Sequence, residues 1–191
     1  RKFDIAFTLR YYSPGFSSFF GNCLCENSKP KNEFGSYFGI LFKPKYFVDI
    51  NFFYDFSKKL LHFENEDPFV HHFLFELKYN LNKIYFFVFR YTQKYKTEKN
   101  SKENTIFFKE EFSKTINNKF KSQFIYLISK NFKTKTEFNF SLFCKKSFKP
   151  KGYGIFQDLI FKIKKIKISN RIGFFSNQSS KNVIYSYEPS V

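Results

Sequence analysis

The stretch Tyr153–Phe175, Y-G-I-F-Q-D-L-I-F-K-I-K-K-I-K-I-S-N-R-I-G-F-F, decides the fold. With a two-residue turn at Lys164-Lys165 it folds back so that Ile163 faces Ile166, Phe161 faces Ile168 and Ile155 faces Phe174. These positions make one apolar face, interrupted at Asn170. The other face pairs Lys162 with Lys167, Asp158 with Arg171 and Phe156 with Gly173. Period-two alternation that keeps its register through a turn marks an antiparallel hairpin. Each arm runs about 11 residues, the length of a strand that crosses a bilayer at a tilt. An apolar face on strands this long, with polar groups behind it, predicts a transmembrane β-barrel wall. Gly173 opposite Phe156 and Gly154 opposite Phe175 fit the same picture. A ring over a cross-strand glycine keeps a curved strand paired.

Composition narrows the choice. No run of about 18 apolar residues exists, so a barrel is the spanning option open to this chain. Aromatic residues make up 24% of the sequence, Phe alone contributing 33 positions. That exceeds the need of a water-soluble core this small, and in water it invites aggregation; facing lipid it does not. The formal charge of +17 has two readings. One is a phosphate-bearing partner, nucleic acid or lipid headgroup. The other is A- and T-rich coding DNA, which raises Phe, Lys, Asn, Ile and Tyr together; scattered lysines favour it. The first residue is Arg, not Met, so residues 1–191 read as one β-barrel domain, incomplete at both ends.

Taken in order, Lys2–Tyr12 is a first strand, followed by a long loop over Ser13–Asn32. Glu33–Phe42 and Tyr46–Phe56 follow, turning at Lys43-Pro44-Lys45 with Phe42 against Tyr46 and Ile40 against Val48. Proline fits a turn because it fixes φ and lacks the N–H that pairing needs. Val70–Asn80 and Ile84–Tyr95 make the next pair, with Phe75 against Phe89, Phe73 against Tyr91, and Glu76 diagonal to Arg90. Lys96–Asn118 reads as the longest connection, with a short helical or extra strand piece open around Ile106–Ile116. Lys119–Ser129 and Lys135–Lys145 precede the hairpin, and Val183–Tyr187 begins a further strand. The fold expected is all-β: an antiparallel up-and-down transmembrane β-barrel, of which about nine strands are present. Long and short connections alternate, as loops and turns do on the two sides of an outer-membrane barrel.

Chemistry is sparse. The lumen-facing polar candidates are Glu76, Lys78, Arg90, Asp158 and Arg171, read as pairs filling a barrel interior. Cys23, Cys25 and Cys144 lack a disulfide framework, and Cys23-x-Cys25 lacks a nearby His for a metal site. No glycine-rich phosphate loop occurs, and acidic residues lack metal-loop spacing. No cofactor and no catalytic site is therefore expected. A barrel enzyme acting on lipids, with His71 as base, has no diagnostic motif behind it.

Three segments carry a resemblance. Arg10-Tyr-Tyr-Ser-Pro-Gly-Phe16 through Gly21-Asn22 and Glu26-Asn-Ser28 is the first, and Asn32-Glu33-Phe-Gly35-x-Tyr37-x-Gly39 the second. The third is Gly152-Tyr-Gly-Ile-Phe-Gln-Asp158 with Arg171-Ile-Gly-Phe-Phe175 and Ile184-Tyr-Ser-Tyr-Glu188. Together they resemble Gram-negative bacterial proteins that join helix-hairpin-helix repeats to an outer-membrane β-barrel. Cys23, Cys25 and Pro189 depart from that pattern, and the middle matches in strand spacing alone. The resemblance implies a barrel portion in the cell outer membrane, with membrane lipid as its partner. DNA-binding repeats would lie upstream. The expectation is thus an integral outer-membrane barrel with a structural, transport or surface role. The alternative is a soluble basic β-protein that binds single-stranded nucleic acid.

Overall fold

The computed structural model describes residues 2–16, 31–64, 66–82, 84–100, 111–163, 166–182 and 184. Nine strands form one sheet in chain order, each antiparallel to its neighbours. They are β1 (Lys2–Tyr12), β2 (Glu33–Lys45), β3 (Val48–Lys59), β4 (Phe69–Leu81) and β5 (Tyr85–Asn100). Then come β6 (Glu111–Leu127), β7 (Phe132–Lys145), β8 (Lys151–Ile163) and β9 (Ile166–Asn177), and a 3-10 turn at Ser180–Asn182. The pairing order ends at β1 on one side and β9 on the other. Among the described residues no helix is long and apolar enough to cross a membrane.

The Tyr153–Phe175 hairpin pairs as expected: Ile163 with Ile166, Phe161 with Ile168, Asp158 with Arg171, Phe156 with Gly173. Its turn residues, Lys164 and Lys165, lie outside the described residues, as do Cys23, Cys25 and, Ile184 apart, the strand expected at Val183–Tyr187.

Two hairpins keep their expected faces but slip in register by an even number of residues. Between β2 and β3, Phe42 pairs with Ile50 and Ile40 with Phe52, with a bulge between Phe42 and Lys45. Pro44 sits in that bulge, where a missing N–H costs no ladder bond, and the turn moves to Tyr46-Phe47. Between β4 and β5, Tyr91 pairs with Phe75 and Phe89 with Leu77, while Glu76 stands directly opposite Arg90. Phe73 and Tyr91 still touch, diagonally, with ring centroids 5.9 Å apart. Because side chains alternate with period two, an even slip preserves every face.

The described residues of the segment read as a connection over Lys96–Asn118, 96–100 and 111–118, are strand. β5 runs on to Asn100 and β6 starts at Glu111, with Lys96 opposite Thr115 and Glu98 opposite Ser113. Polar residues on both faces hide strand periodicity there. Cross-strand contacts hold the extension instead, including Thr115 Oγ1 donating to the Lys96 carbonyl at 2.9 Å.

Burial is inverted relative to a water-soluble protein. Phe143 and Phe156 are the only large apolar side chains buried among the described residues. Arg10, Glu33, Glu76, Glu137, Asn139, Ser141 and Asp158 are all buried. The opposite face exposes Phe7 at 64%, Ile168 at 52% and Phe174 at 75%. Along β7 and β8 the pattern is strict: Glu137, Asn139, Ser141, Gly152, Gly154, Phe156 and Asp158 are buried, while Phe138, Tyr153 and Ile155 are exposed.

Candidate functional site

Among the described residues, three groups of ion pairs on the polar face gather around buried carboxylates of the strands, each assembled by the register of neighbouring strands. The first joins β1, β2 and β3. Arg10 Nε donates to Glu33 Oε1 at 2.7 Å and Arg10 Nη1 to Asp55 Oδ1 at 2.7 Å. Gly35, opposite Arg10, leaves room for the guanidinium. A Cβ at Gly35 would stand 2.7 Å from its atoms and 2.8 Å from the Phe56 carbonyl oxygen.

The second group lies on β4 and β5. Arg90 bonds Glu76 across the strands through Nε at 2.7 Å and through Nη2, and Lys78 Nζ lies 2.9 Å from the same carboxylate. The third spans β6 to β9. Glu137 accepts from Gln123 at 2.7 Å and Asn139 at 2.8 Å, and pairs with Lys121 at 2.9 Å and Lys135 at 3.0 Å. Lys135 reaches on to Asp158 at 3.7 Å, and Asp158 is gripped by Arg171 at 2.5 and 2.6 Å. Arg171 also lies over the Phe156 ring, 5.9 Å from its centre. Charges this deeply placed hold their sites when fully paired, and cost heavily when one partner is removed.

Of the residues expected from sequence, Glu76, Lys78 and Arg90 thus meet in one group, and Asp158 and Arg171 meet in another. Alternation puts Asp55 and Glu137 on the inner face but gives them no partners, and sequence reading missed Arg10, Glu33, Lys121 and Lys135. Arg10 and Glu33 did belong to the resembling segments, so a signal existed. What linked them to Asp55 was a three-strand register no spacing revealed.

At the end of the sheet where the long connections lie, Lys94, Lys96, Glu98, Thr115, Asn117, Phe143, Ser180 and Lys181 line a cavity of about 280 Å³. Glu98 pairs with Lys96 at 3.0 Å and with Lys181 at 3.5 Å, tying the 3-10 turn to β5. Just outside, on the connection from β3 to β4, Asp67 accepts from Tyr95 Oη at 2.7 Å and from the Phe69 amide at 3.2 Å, with Lys114 Nζ 3.2 Å away. Partial burial pushes its pKa upward. The Tyr95, Phe69 and Lys114 contacts outweigh that and hold the carboxyl below its usual range.

Polar groups on the apolar face are answered locally. Gln157 accepts from Thr136 Oγ1 at 2.7 Å and donates to Thr134 Oγ1. Tyr91 and Gln93 both donate to Asn118 Oδ1 at 2.9 Å. His71 Nδ1 meets Tyr54 Oη at 2.6 Å, amid the rings of Phe56 and Tyr95. Its surroundings are those of an aromatic cluster. Among the described residues no group of three or more His, Cys, Asp or Glu side chains could hold a metal ion. No protein-family model, curated protein or solved structure matches the chain.

Proposed function

We propose that this chain is wall of an integral outer-membrane β-barrel, with a structural, transport or surface role and no catalytic chemistry of its own. The inverted burial carries the reading. An exposed Phe, Leu or Ile side chain forgoes about 1.5–3 kcal/mol relative to burial. The row Phe3, Ile5, Phe7, Leu9 repeats that loss along β1 alone, all of them at least 58% exposed. Hydrocarbon removes the penalty. It also demands that polar groups within it find partners, as Gln157 does with Thr134 and Thr136.

The band has the right height. Tyr79 and His71 bracket Phe73, Phe75 and Leu77 on β4. At ~3.4 Å per residue that is about 27 Å of strand, and a tilt of roughly 40° leaves about 20 Å, close to the height of a barrel's apolar belt. Tyr46, Tyr79, Tyr85 and Tyr126 lie toward the short turns, and Tyr11, Tyr95 and Tyr153 toward the long connections. Two such rows match the aromatic girdles at the two interfaces. β1 and β9 run in the same direction, so an all-antiparallel closure takes at least one strand beyond these nine. The resemblance to barrels that follow helix-hairpin-helix repeats supports the same placement, since its Arg10 and Glu33 form a buried pair here. The test is fractionation: we expect extraction by detergent alone and a heat-dependent shift in gel migration. A water-soluble monomer would contradict the proposal.

The nucleic-acid reading draws less from this geometry. Single-strand binding needs stacking rings and cations on one surface. Here Phe138 and Phe140 lie on the face opposite Lys121 and Lys135. Steep salt-dependent binding to an oligonucleotide would revive it.

A further inference from the structure

The carboxylates Glu33, Asp49, Asp55, Glu76, Glu98, Glu137 and Asp158 on the polar face are already paired with cations. Glu33 and Asp55 share Arg10, Asp49 pairs with Lys43, and Glu76 is held by Lys78 and Arg90. Glu98 is held by Lys96 and Lys181, Glu137 by Lys121 and Lys135, and Asp158 by Arg171. Cations remain. Lys119, Lys133, Lys145 and Lys162 make no ion pair with a described carboxylate.

Their order along the sheet is informative. Lys145 lies opposite Thr115 at the end with the long connections, beside the cavity where Lys94, Lys96 and Lys181 surround the single carboxylate of Glu98. Lys119 follows, opposite Ser141. Lys133 lies opposite Ile160, and Lys162 reaches the turn end, directly opposite Lys167. Positive side chains thus succeed one another from one end of the polar face to the other.

We propose that this lysine track makes the polar face an anion-selective path, admitting small inorganic anions at the Lys94–Lys96–Lys181 cavity and passing them toward Lys162. Lysine suits the task because its ammonium is a mobile point charge that replaces part of an anion's hydration without clamping it. The surplus field concentrates anions and repels cations at the mouth. The inference rests on the sheet being membrane wall.

Insertion and selectivity are measured separately on the full chain. Co-flotation with phosphatidylcholine vesicles, which carry no net charge, scores insertion. Reversal potentials across planar bilayers of the same lipid under a potassium chloride gradient score selectivity. The expected chloride-to-potassium permeability ratio lies several-fold above one. In Lys119→Gln/Lys133→Gln/Lys162→Gln it falls toward one, while Lys58→Gln, on the apolar face, keeps the original ratio. An inserted chain that prefers potassium, conducts nothing, or ignores the triple substitution overturns the anion path and leaves the membrane reading standing. A chain that does not float with the vesicles overturns both.

Discussion

The Phe156 ring fills the space that a side chain at position 173 would occupy and crowds the space at 154, so glycine suits both for reasons of contact. A Cβ at Gly173 would meet the ring edge, and one at Gly154 would stand 3.0 Å from it. Gly173→Ala should cost about 1–3 kcal/mol, the range for overpacking, read from the urea midpoint of the detergent-folded protein. Gly35→Ala should cost more than Gly154→Ala, because one atom in its way is the Phe56 backbone carbonyl, which cannot turn aside. Arg10→Ala takes the guanidinium from between Glu33, whose side chain is 2% exposed, and Asp55, so that two carboxylates lose the cation they share. Its expected cost is about 3–5 kcal/mol, and Arg10→Lys should recover only part, since one ammonium cannot reproduce the guanidinium's fork to two carboxylates. Equal stability of wild type and Arg10→Ala in the same titration would remove this group from the account. The Phe156–Gly173 contact was legible in the sequence because both residues lie on one hairpin. The Arg10 group was not, because its members are spread over three strands.

Individual strands announced themselves through alternation, and their ends did so less well. β1 was legible in full because aromatic and aliphatic residues fill every outward position from Phe3 to Tyr11. The far halves of β5 and β6 were not, since Lys96, Thr97 and Glu98 are polar on both faces. In the proposed membrane placement their length puts them beyond the apolar belt, where water would wet both sides. Asp67 braces this extension to the neighbouring connection, which makes it sensitive to acid. Its folded-state pKa lies below the unfolded value, so its stabilisation is complete above the ordinary carboxylate range and is lost as pH falls through the lowered folded value. The protection factor of the Phe69 amide, its exchange referred to the intrinsic rate at each pH, should therefore fall in acid in wild type and be low at all pH values in Asp67→Ala. At the turn after β7, Lys146 holds φ at 52°, a left-handed conformation that a β-carbon disfavours. Lys146→Gly should be stabilising or neutral, within about 1 kcal/mol, and a loss of stability in the urea titration would contradict that.

For the whole molecule, one argument connects sequence to placement. Period-two alternation gives each ribbon a greasy side and a charged side, and antiparallel pairing with even-numbered slips keeps all nine in phase. The consequence is a sheet whose buried groups are Arg10, Glu33, Glu137 and Asp158, and whose exposed groups are phenylalanines and isoleucines. A water-soluble fold gains nothing from that arrangement, whereas a wall between hydrocarbon and an aqueous interior does. The most direct measurement places a single fluorescent label in turn at Phe138→Cys and at Asn139→Cys, in chains whose native cysteines are serine, refolded into phosphatidylcholine vesicles. Nitroxide-bearing acyl chains should quench the label at position 138 strongly and the adjacent one at 139 weakly, with a water-soluble quencher giving the reverse order. Equal quenching at both positions, or strong aqueous quenching at 138, would contradict the account.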